Sequence, residues 1–82
     1  MNLLPNGNTA ILSAADVGIA IKAKRRKDGL TQADAAAICG VGTRFLSELE
    51  NGKAGAELGK TLQVIKGLGL ECHILERAWH NR

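Results

Sequence analysis

The spacing of apolar residues predicts a first helix over residues 13–27. Val17 and Ile21 lie four residues apart, which places them on one face of a helix, and Arg25 continues that face. The segment 13–16, Ser-Ala-Ala-Asp, resembles a capping box with Asp in place of the usual Glu. An Asp-Gly pair follows the helix, and Gly suits the left-handed conformation that ends many helices.

Two shorter helices joined by a tight turn are predicted next. The second helix begins at Thr-Gln-Ala-Asp, residues 31–34, and ends at Gly40. Its side chains are small, so a neighbouring helix can approach closely. A Val-Gly turn leads to a third helix over residues 43–50, whose apolar side contains one Phe and two Leu residues. Asn-Gly at residues 51–52 ends this helix.

A fourth helix is predicted from Leu58 to about Leu68, and a strand is predicted after it. The strand prediction rests on residues 70–74, which alternate apolar and polar as a half-buried strand does. A lone strand leaves its backbone unpaired, so it needs a partner. Either residues 9–12 of the same chain or the strand of a second copy can serve, and we favour the second as the core of a dimer. The fourth helix has one apolar stripe, which consists of Leu58, Leu62, Ile65 and Leu68.

These elements divide the chain into three parts. An Asn-, Gly- and Pro-containing arm at residues 1–12 precedes a four-helix domain at residues 13–69, and a dimerisation strand and tail occupy residues 70–82. A chain of 82 residues is enough for one domain with a small core, which favours an oligomer. The fold class is therefore all-α, with a short C-terminal β-strand.

Composition narrows the classes of function. The net charge is +3 and the pI is about 9.2, which enters the range of nucleic-acid-binding domains. Five of the eleven Lys and Arg residues lie between residues 22 and 27. A solvated helix face is the alternative interpretation of such a cluster. One Phe, one Trp and no Tyr argue against stacking platforms for single-stranded nucleic acid.

Cysteine usage and hydropathy predict a cytoplasmic protein. Cys39 and Cys72 are interpreted as small hydrophobic residues in a reducing setting, since no secretory signal or membrane-length apolar run is apparent. Two Cys and two His residues at irregular spacing predict no metal site and no cofactor. His73, His80 and the cysteines also form no motif for nucleophilic chemistry, so no enzyme is expected.

The second and third helices have the spacing of a helix-turn-helix unit, whose second helix fits the major groove of DNA. The pattern begins with Leu-Thr-Gln at 30–32, Ala36 and Gly40-Val41. Glu-Asn-Gly-Lys at 50–53 begins nine residues after Val41. This pattern resembles the phage-repressor family of helix-turn-helix domains (Cro/C1, or Xre) over residues 17–70. The resemblance implies a lambda-repressor-like bundle in which residues 13–69 bind double-stranded DNA at a palindromic operator.

The resemblance also assigns roles to individual residues. Thr43, Arg44 and Glu48 occupy positions that contact base edges, where Arg44 suits guanine and Glu48 suits the amino group of cytosine. Ser47 suits either a base or a phosphate. The positions that contact phosphate are Gln32, Asn51 and Lys53.

Two positions have a structural interpretation in the family. Arg25 and Glu50 correspond to an ion pair between the first and third helices, and a phosphate contact is the alternative for Arg25. Phe45 departs from the family, which usually has a small polar residue there. A thymine methyl and a dimer partner are the two interpretations of its role.

The strand after the fourth helix is similar to that of HipB-type antitoxins, which are partners of HipA-type serine/threonine kinase toxins. The resemblance implies a homodimer that represses its own operon and binds such a kinase. Trp79 either caps the dimer or anchors the partner. The alternatives are a stand-alone phage- or plasmid-type regulator and a protein-binding adaptor without DNA. The expected dimer or partner interface contains Leu70, Cys72, Ile74 and Trp79.

Overall fold

The computed structural model describes residues 10–76, which contain four helices. They are α1 (Ala14–Lys27), α2 (Gln32–Cys39), α3 (Thr43–Glu50) and α4 (Leu58–Gly67). The four predicted helices are confirmed. The longest has 14 residues, so no helix in this part of the chain is long and apolar enough to cross a membrane.

Local hydrogen bonds begin the first two helices. At α2, the hydroxyl of Thr31 accepts from the backbone N–H of Asp34 at 3.0 Å, and the Asp34 carboxylate accepts from the N–H of Thr31 at 3.4 Å. This reciprocal pair is a complete capping box. At α1, Ser13 accepts from the N–H of Asp16, but the Asp16 carboxylate accepts from Leu12. Both hydrogen bonds therefore stabilise the start of α1, but they do not form the reciprocal pair between Ser13 and Asp16 that a complete capping box requires.

The core forms where α3 packs against α1 and α2, and where α2 packs against α4. Ile21, Leu46 and Val64 are its largest fully buried side chains. Ala35 and Ala36 on α2 are also buried, and their small size allows the neighbouring helices to approach. Close packing of α3 against both α1 and α2 holds α3 in a fixed orientation.

The predicted stripe of α4 is wrong at its first two positions. Leu58 is 69% exposed and Leu62 is 44% exposed. The buried face instead contains Thr61, Val64 and Leu68. The Thr61 hydroxyl donates to the carbonyl of Glu57 at 2.8 Å, so the hydroxyl is satisfied locally and burying it costs little. Helix α4 can therefore bury the face that contains Thr61 and leave Leu58 and Leu62 exposed to solvent.

The predicted C-terminal strand is not present in the single chain. Residues 71–76 have no regular secondary structure and are exposed, with Ile74 97% exposed. Residues 10–12 form no strand either, so within residues 10–76 the tail has no strand partner. Unpaired backbone does not form a strand alone. The predictions for residues 1–9 and for Trp79 and His80 lie outside the described residues.

Candidate nucleic-acid interface

Helix α3 presents a polar face to solvent and an apolar face to the core. Leu46 and Leu49 are buried at 0% and 3% exposure. Thr43 and Arg44 at the start of the helix are exposed, while Ser47 and Glu48 are half-buried. The outward arrangement expected from the sequence is therefore present in the geometry of α3.

A side chain from α4 fixes the turn before α3. Gly40 is in the left-handed conformation, with φ of 73°. The side-chain amide of Gln63 donates to the carbonyl of Cys39 at 2.7 Å and to that of Gly40 at 3.2 Å. These bonds satisfy carbonyls that the end of α2 leaves free. Sequence reasoning missed Gln63, because no local pattern signals a contact between residues so far apart in the chain.

Glu48 connects two of the predicted DNA-binding residues. Its Oε1 lies 3.1 Å from Lys53 Nζ, and its Oε2 lies 3.4 Å from Arg44 Nε. The hydrogen bond and charge of Lys53 lower the pKa of Glu48, with a smaller contribution from Arg44. Spacing on α3 accounts for the contact with Arg44. The contact with Lys53 depends on the chain turning back after α3.

The end of α3 displays further polar groups. The N–H of Asn51 donates to the carbonyls of Ser47 and Glu48, and the N–H of Lys53 donates to that of Glu48 at 3.1 Å. These bonds fold residues 51–53 against the last turn of the helix. The side chain of Lys53 is 53% exposed, and Asn51 is also exposed. Both residues are accessible beside the exposed polar face of α3.

Arg25, Glu50 and Gln32 form a network beneath α3. Arg25 Nε donates to Glu50 Oε2 at 2.6 Å and Nη2 donates to Oε1 at 2.9 Å, with the two side chains 10% and 2% exposed. Gln32 Nε2 also donates to Glu50 Oε1, at 3.0 Å. Arg25 Nη1 donates to the carbonyl of Leu30 at 2.8 Å. The network joins α1, the start of α2 and the end of α3.

The network shifts the titration of both charged groups. For Glu50, burial alone raises the pKa, but the hydrogen bonds from Arg25 and Gln32, together with the charges of Arg25 and Lys22, outweigh it and lower the pKa. The hydrogen bond to Glu50 raises the pKa of Arg25. Both groups therefore remain charged at neutral pH. The contact of Gln32 with Glu50 was not foreseen, since the family resemblance assigned Gln32 to a phosphate.

Phe45 packs against the core and is half-buried. Lys60 Nζ lies 5.7 Å from the centre of its ring, within the range of a cation–π interaction. Phe45 therefore contributes to its own domain, and only the exposed part of the ring is accessible to DNA or a partner. Lys60 is a further cation near α3 that the sequence analysis did not single out.

Cys39 and His73, the other candidates for catalysis or metal binding in the described part of the chain, do not share a site. Cys39 is buried and burial raises the pKa of its thiol, which opposes a nucleophilic role. His73 is exposed and contacts Glu71 at 3.1 Å. Between residues 10 and 76, no three His, Cys, Asp or Glu side chains are placed to hold a metal ion.

Sequence comparisons agree with this geometry. A helix-turn-helix family model matches residues 21–72. A protein of Sinorhizobium fredii (strain NBRC 101917 / NGR234), named as an uncharacterized HTH-type transcriptional regulator, y4mF, is 42% identical over 65 residues. That match covers 79% of this chain and 86% of the relative.

Solved structures of HipB share the fold, each with a TM-score of 0.76 over 83% of this chain. A HipB–O4 20mer complex is 24% identical, with 96% of that chain covered. A HipB variant in an O2 20mer complex is 25% identical, with 94% covered. A HipA–HipB–O2–O3 complex is 24% identical, with 96% covered.

Proposed function

The chain belongs to the helix-turn-helix family of transcriptional regulators, and from that premise we propose that it is a sequence-specific repressor that binds a palindromic operator as a homodimer. The orientation of α3 carries the proposal. Exposed Thr43 and Arg44, together with half-buried Glu48, occupy one face, and buried Leu46 and Leu49 fix the helix behind them. A helix held in this way fits the major groove.

The accessible side chains divide into base readers and phosphate binders. Arg44 is 91% exposed and can donate two hydrogen bonds to guanine O6 and N7, while Glu48 can accept from cytosine N4. Lys53 and Asn51, just after α3, suit phosphates, and Ser47 suits either group. Gln32, at the start of α2, uses one amide hydrogen for Glu50 and keeps a second for a phosphate.

The tail supports a dimer. Cys72 and Ile74 are exposed, while Leu70 is half-buried. An alternating strand would place these three residues on one face, and pairing with a second copy would satisfy its backbone. Leu58 and Leu62 on α4 also expose apolar surface that a partner subunit can bury.

The finer proposal is that the protein is the antitoxin of a HipBA-type module, repressing its own operon and binding a HipA-type kinase. Its support is the shared fold with HipB, including a HipB chain in a HipA–HipB–O2–O3 complex. A stand-alone phage- or plasmid-type regulator is the second candidate, favoured by the named regulator that is 42% identical. A kinase gene beside this one distinguishes the two.

Duplex binding tests the function directly. We expect the protein to shift duplex DNA from its own promoter, with half-sites roughly 34 Å apart and an affinity that falls steeply with salt. Absence of binding to any promoter duplex at low salt would instead favour a protein-binding adaptor.

Pull-down from the native host tests the kinase partner. It should recover a HipA-type kinase, and Trp79→Ala should weaken that capture if Trp79 anchors the partner.

Two variants separate base reading from phosphate binding. Arg44→Ala should lose roughly 1–3 kcal/mol of discrimination at one base position, because the guanine contact is lost. Lys53→Ala should weaken all sequences similarly and reduce the salt slope by about 1. Titrations of matched and mismatched duplexes measure both effects. Equal losses on matched and scrambled duplexes in the Arg44 variant would contradict its role.

A further inference from the structure

The carboxylate of Glu48 engages the two cations that the proposed function assigns to DNA. Lys53 contacts one carboxylate oxygen at 3.1 Å and Arg44 contacts the other at 3.4 Å. All three groups are accessible, with side-chain exposures of 35% for Glu48, 53% for Lys53 and 91% for Arg44. A DNA molecule that binds Arg44 or Lys53 must therefore displace that side chain from the carboxylate of Glu48.

One other acidic side chain lines this site, and its carboxylate is already hydrogen-bonded to backbone. Glu57 lines the same shallow groove as Glu48, Lys53 and Lys60. Its two carboxylate oxygens accept from the backbone N–H groups of Gly59 and Lys60 at 2.9 and 2.7 Å. Glu57 is therefore occupied in capping α4. Among the described residues, Glu48 is the carboxylate that pairs with Arg44 and Lys53.

We propose that Glu48 determines specificity by opposing nonspecific DNA: it holds Arg44 and Lys53 in the free protein and penalises duplexes that offer its carboxylate no amino donor. This inference rests on the proposed DNA-binding function. The proposed function gives Glu48 a contact with cytosine. This inference adds a penalty against other sequences, which arises because Glu48 already pairs with Arg44 and Lys53 in the free protein.

The major groove explains how the penalty depends on sequence. Cytosine N4 and adenine N6 donate there, whereas guanine O6 and N7, thymine O4 and adenine N7 accept. When Lys53 moves to a phosphate and Arg44 to a base, Glu48 loses both partners beside a polyanion. A site with an amino group in reach gives the carboxylate a new hydrogen bond. Any other site leaves it facing acceptors, so wrong sequences bear the cost.

The test compares wild-type protein with Glu48→Gln, which keeps the shape of the side chain and removes its charge. The preferred duplex is selected from a randomised pool, and a scrambled duplex of the same composition represents nonspecific DNA. We expect Glu48→Gln to bind the scrambled duplex about three- to tenfold more tightly, with a steeper salt dependence, because Lys53 is released. The preferred duplex should gain less, so the ratio of the two affinities falls.

Two controls isolate the mechanism. Glu71→Gln makes the same charge change on an exposed side chain that the proposed strand places away from the dimer face, and it should leave both affinities near those of the wild type. In a Lys53→Gln background, the gain from Glu48→Gln should fall by half or more, because Lys53 is no longer there to be released. Circular dichroism verifies that each variant is folded.

The possible failures are distinguishable. Scrambled-duplex binding by Glu48→Gln that is no tighter than that of the wild type or of Glu71→Gln would overturn the inference alone. An undiminished gain in the Lys53→Gln background would do the same. Wild-type protein that binds neither duplex at low salt would overturn the proposed function, and this inference with it.

Discussion

At the scale of single residues, the buried ion pair between Arg25 and Glu50 has the largest consequences for stability. Glu50 accepts three hydrogen bonds from two side chains, Arg25 and Gln32. Arg25 also donates to the carbonyl of Leu30. A buried charge whose partner is removed keeps its desolvation cost and loses its compensation. Arg25 and Glu50 therefore support α3 from the side that faces the core.

Removing the arginine tests this interpretation. We expect Arg25→Ala to lower the free energy of unfolding by roughly 3–5 kcal/mol, because Glu50 is left buried and unpaired. Chemical denaturation measures the loss. Lys24→Ala on the same helix is the matched control, since Lys24 pairs with Asp28 at the surface and such i,i+4 pairs contribute about 0.3–0.5 kcal/mol. Equal effects of the two substitutions would contradict the structural role of Arg25.

The lowered pKa of Glu50 predicts a loss of stability in acid. An unfolded chain titrates this group near its ordinary value of 4.5, so below that pH the unfolded state binds more protons than the folded state. The contribution of Glu50 is therefore complete above that value and is lost as pH falls through the lowered folded pKa.

Denaturation at a series of pH values checks this dependence. The stability difference between wild type and Glu50→Gln should shrink from about pH 5 to pH 2. Glu76→Gln, whose carboxyl is exposed, should follow the wild-type curve. A difference for Glu50→Gln that stays constant with pH would show that its ionisation does not contribute.

At the scale of secondary-structure elements, the contact between α1 and α3 depends on the absence of a side chain. A Cβ added to Gly18 would lie 2.5 Å from the carbonyl oxygen of Leu49 and 2.7 Å from that of Glu50. Both atoms belong to the backbone at the end of α3, so they cannot move aside as a flexible side chain can. The glycine therefore sets how closely α3 approaches α1.

This close approach reverses the usual effect of replacing a helical glycine. Gly to Ala in a helix interior normally gains about 1 kcal/mol, but we expect Gly18→Ala to cost about 1–3 kcal/mol through overpacking. Thermal and chemical denaturation measure the sign. Gly55→Ala is the control, because a Cβ there meets no atom within 4 Å. A stabilised Gly18→Ala protein would show that α3 can move away at little cost.

At the scale of the whole molecule, the exposed apolar residues can be used to test the proposed dimer. Ile74 is almost fully exposed, and Leu58, Leu62 and Leu75 add to the apolar surface. The proposed strand would place Ile74 on the dimer face and its neighbour His73 on the opposite face, because side chains alternate along a strand. These two positions can therefore be tested against each other.

We expect Ile74→Glu to shift the protein from dimer to monomer and to weaken operator binding, since two half-sites are no longer engaged together. His73→Glu introduces the same side chain on the opposite face and should leave the dimer intact. Sedimentation over a concentration series measures the oligomeric state. Dimers of equal stability in both variants would rule out the strand as the core of the interface.

The sequence alone determined the helices and the candidate recognition face. Capping residues such as Thr31, the glycine after α2 and the apolar spacing within α3 act over about one turn of helix, so they can be recognised without knowledge of the fold. The family resemblance then placed Arg25 opposite Glu50, and the structure brings the two together.

Tertiary structure decided which of several possible surfaces are used. Leu58 and Leu62 have the spacing of a buried helix face, yet they are exposed and α4 buries Thr61 and Val64 instead. The packing of the neighbouring helices decides which face of α4 is buried. The contact between Gln63 and the turn before α3 joins residues far apart in the chain, which periodicity cannot indicate. A strand at residues 70–74 likewise depends on a partner, since its backbone hydrogen bonds must come from another segment.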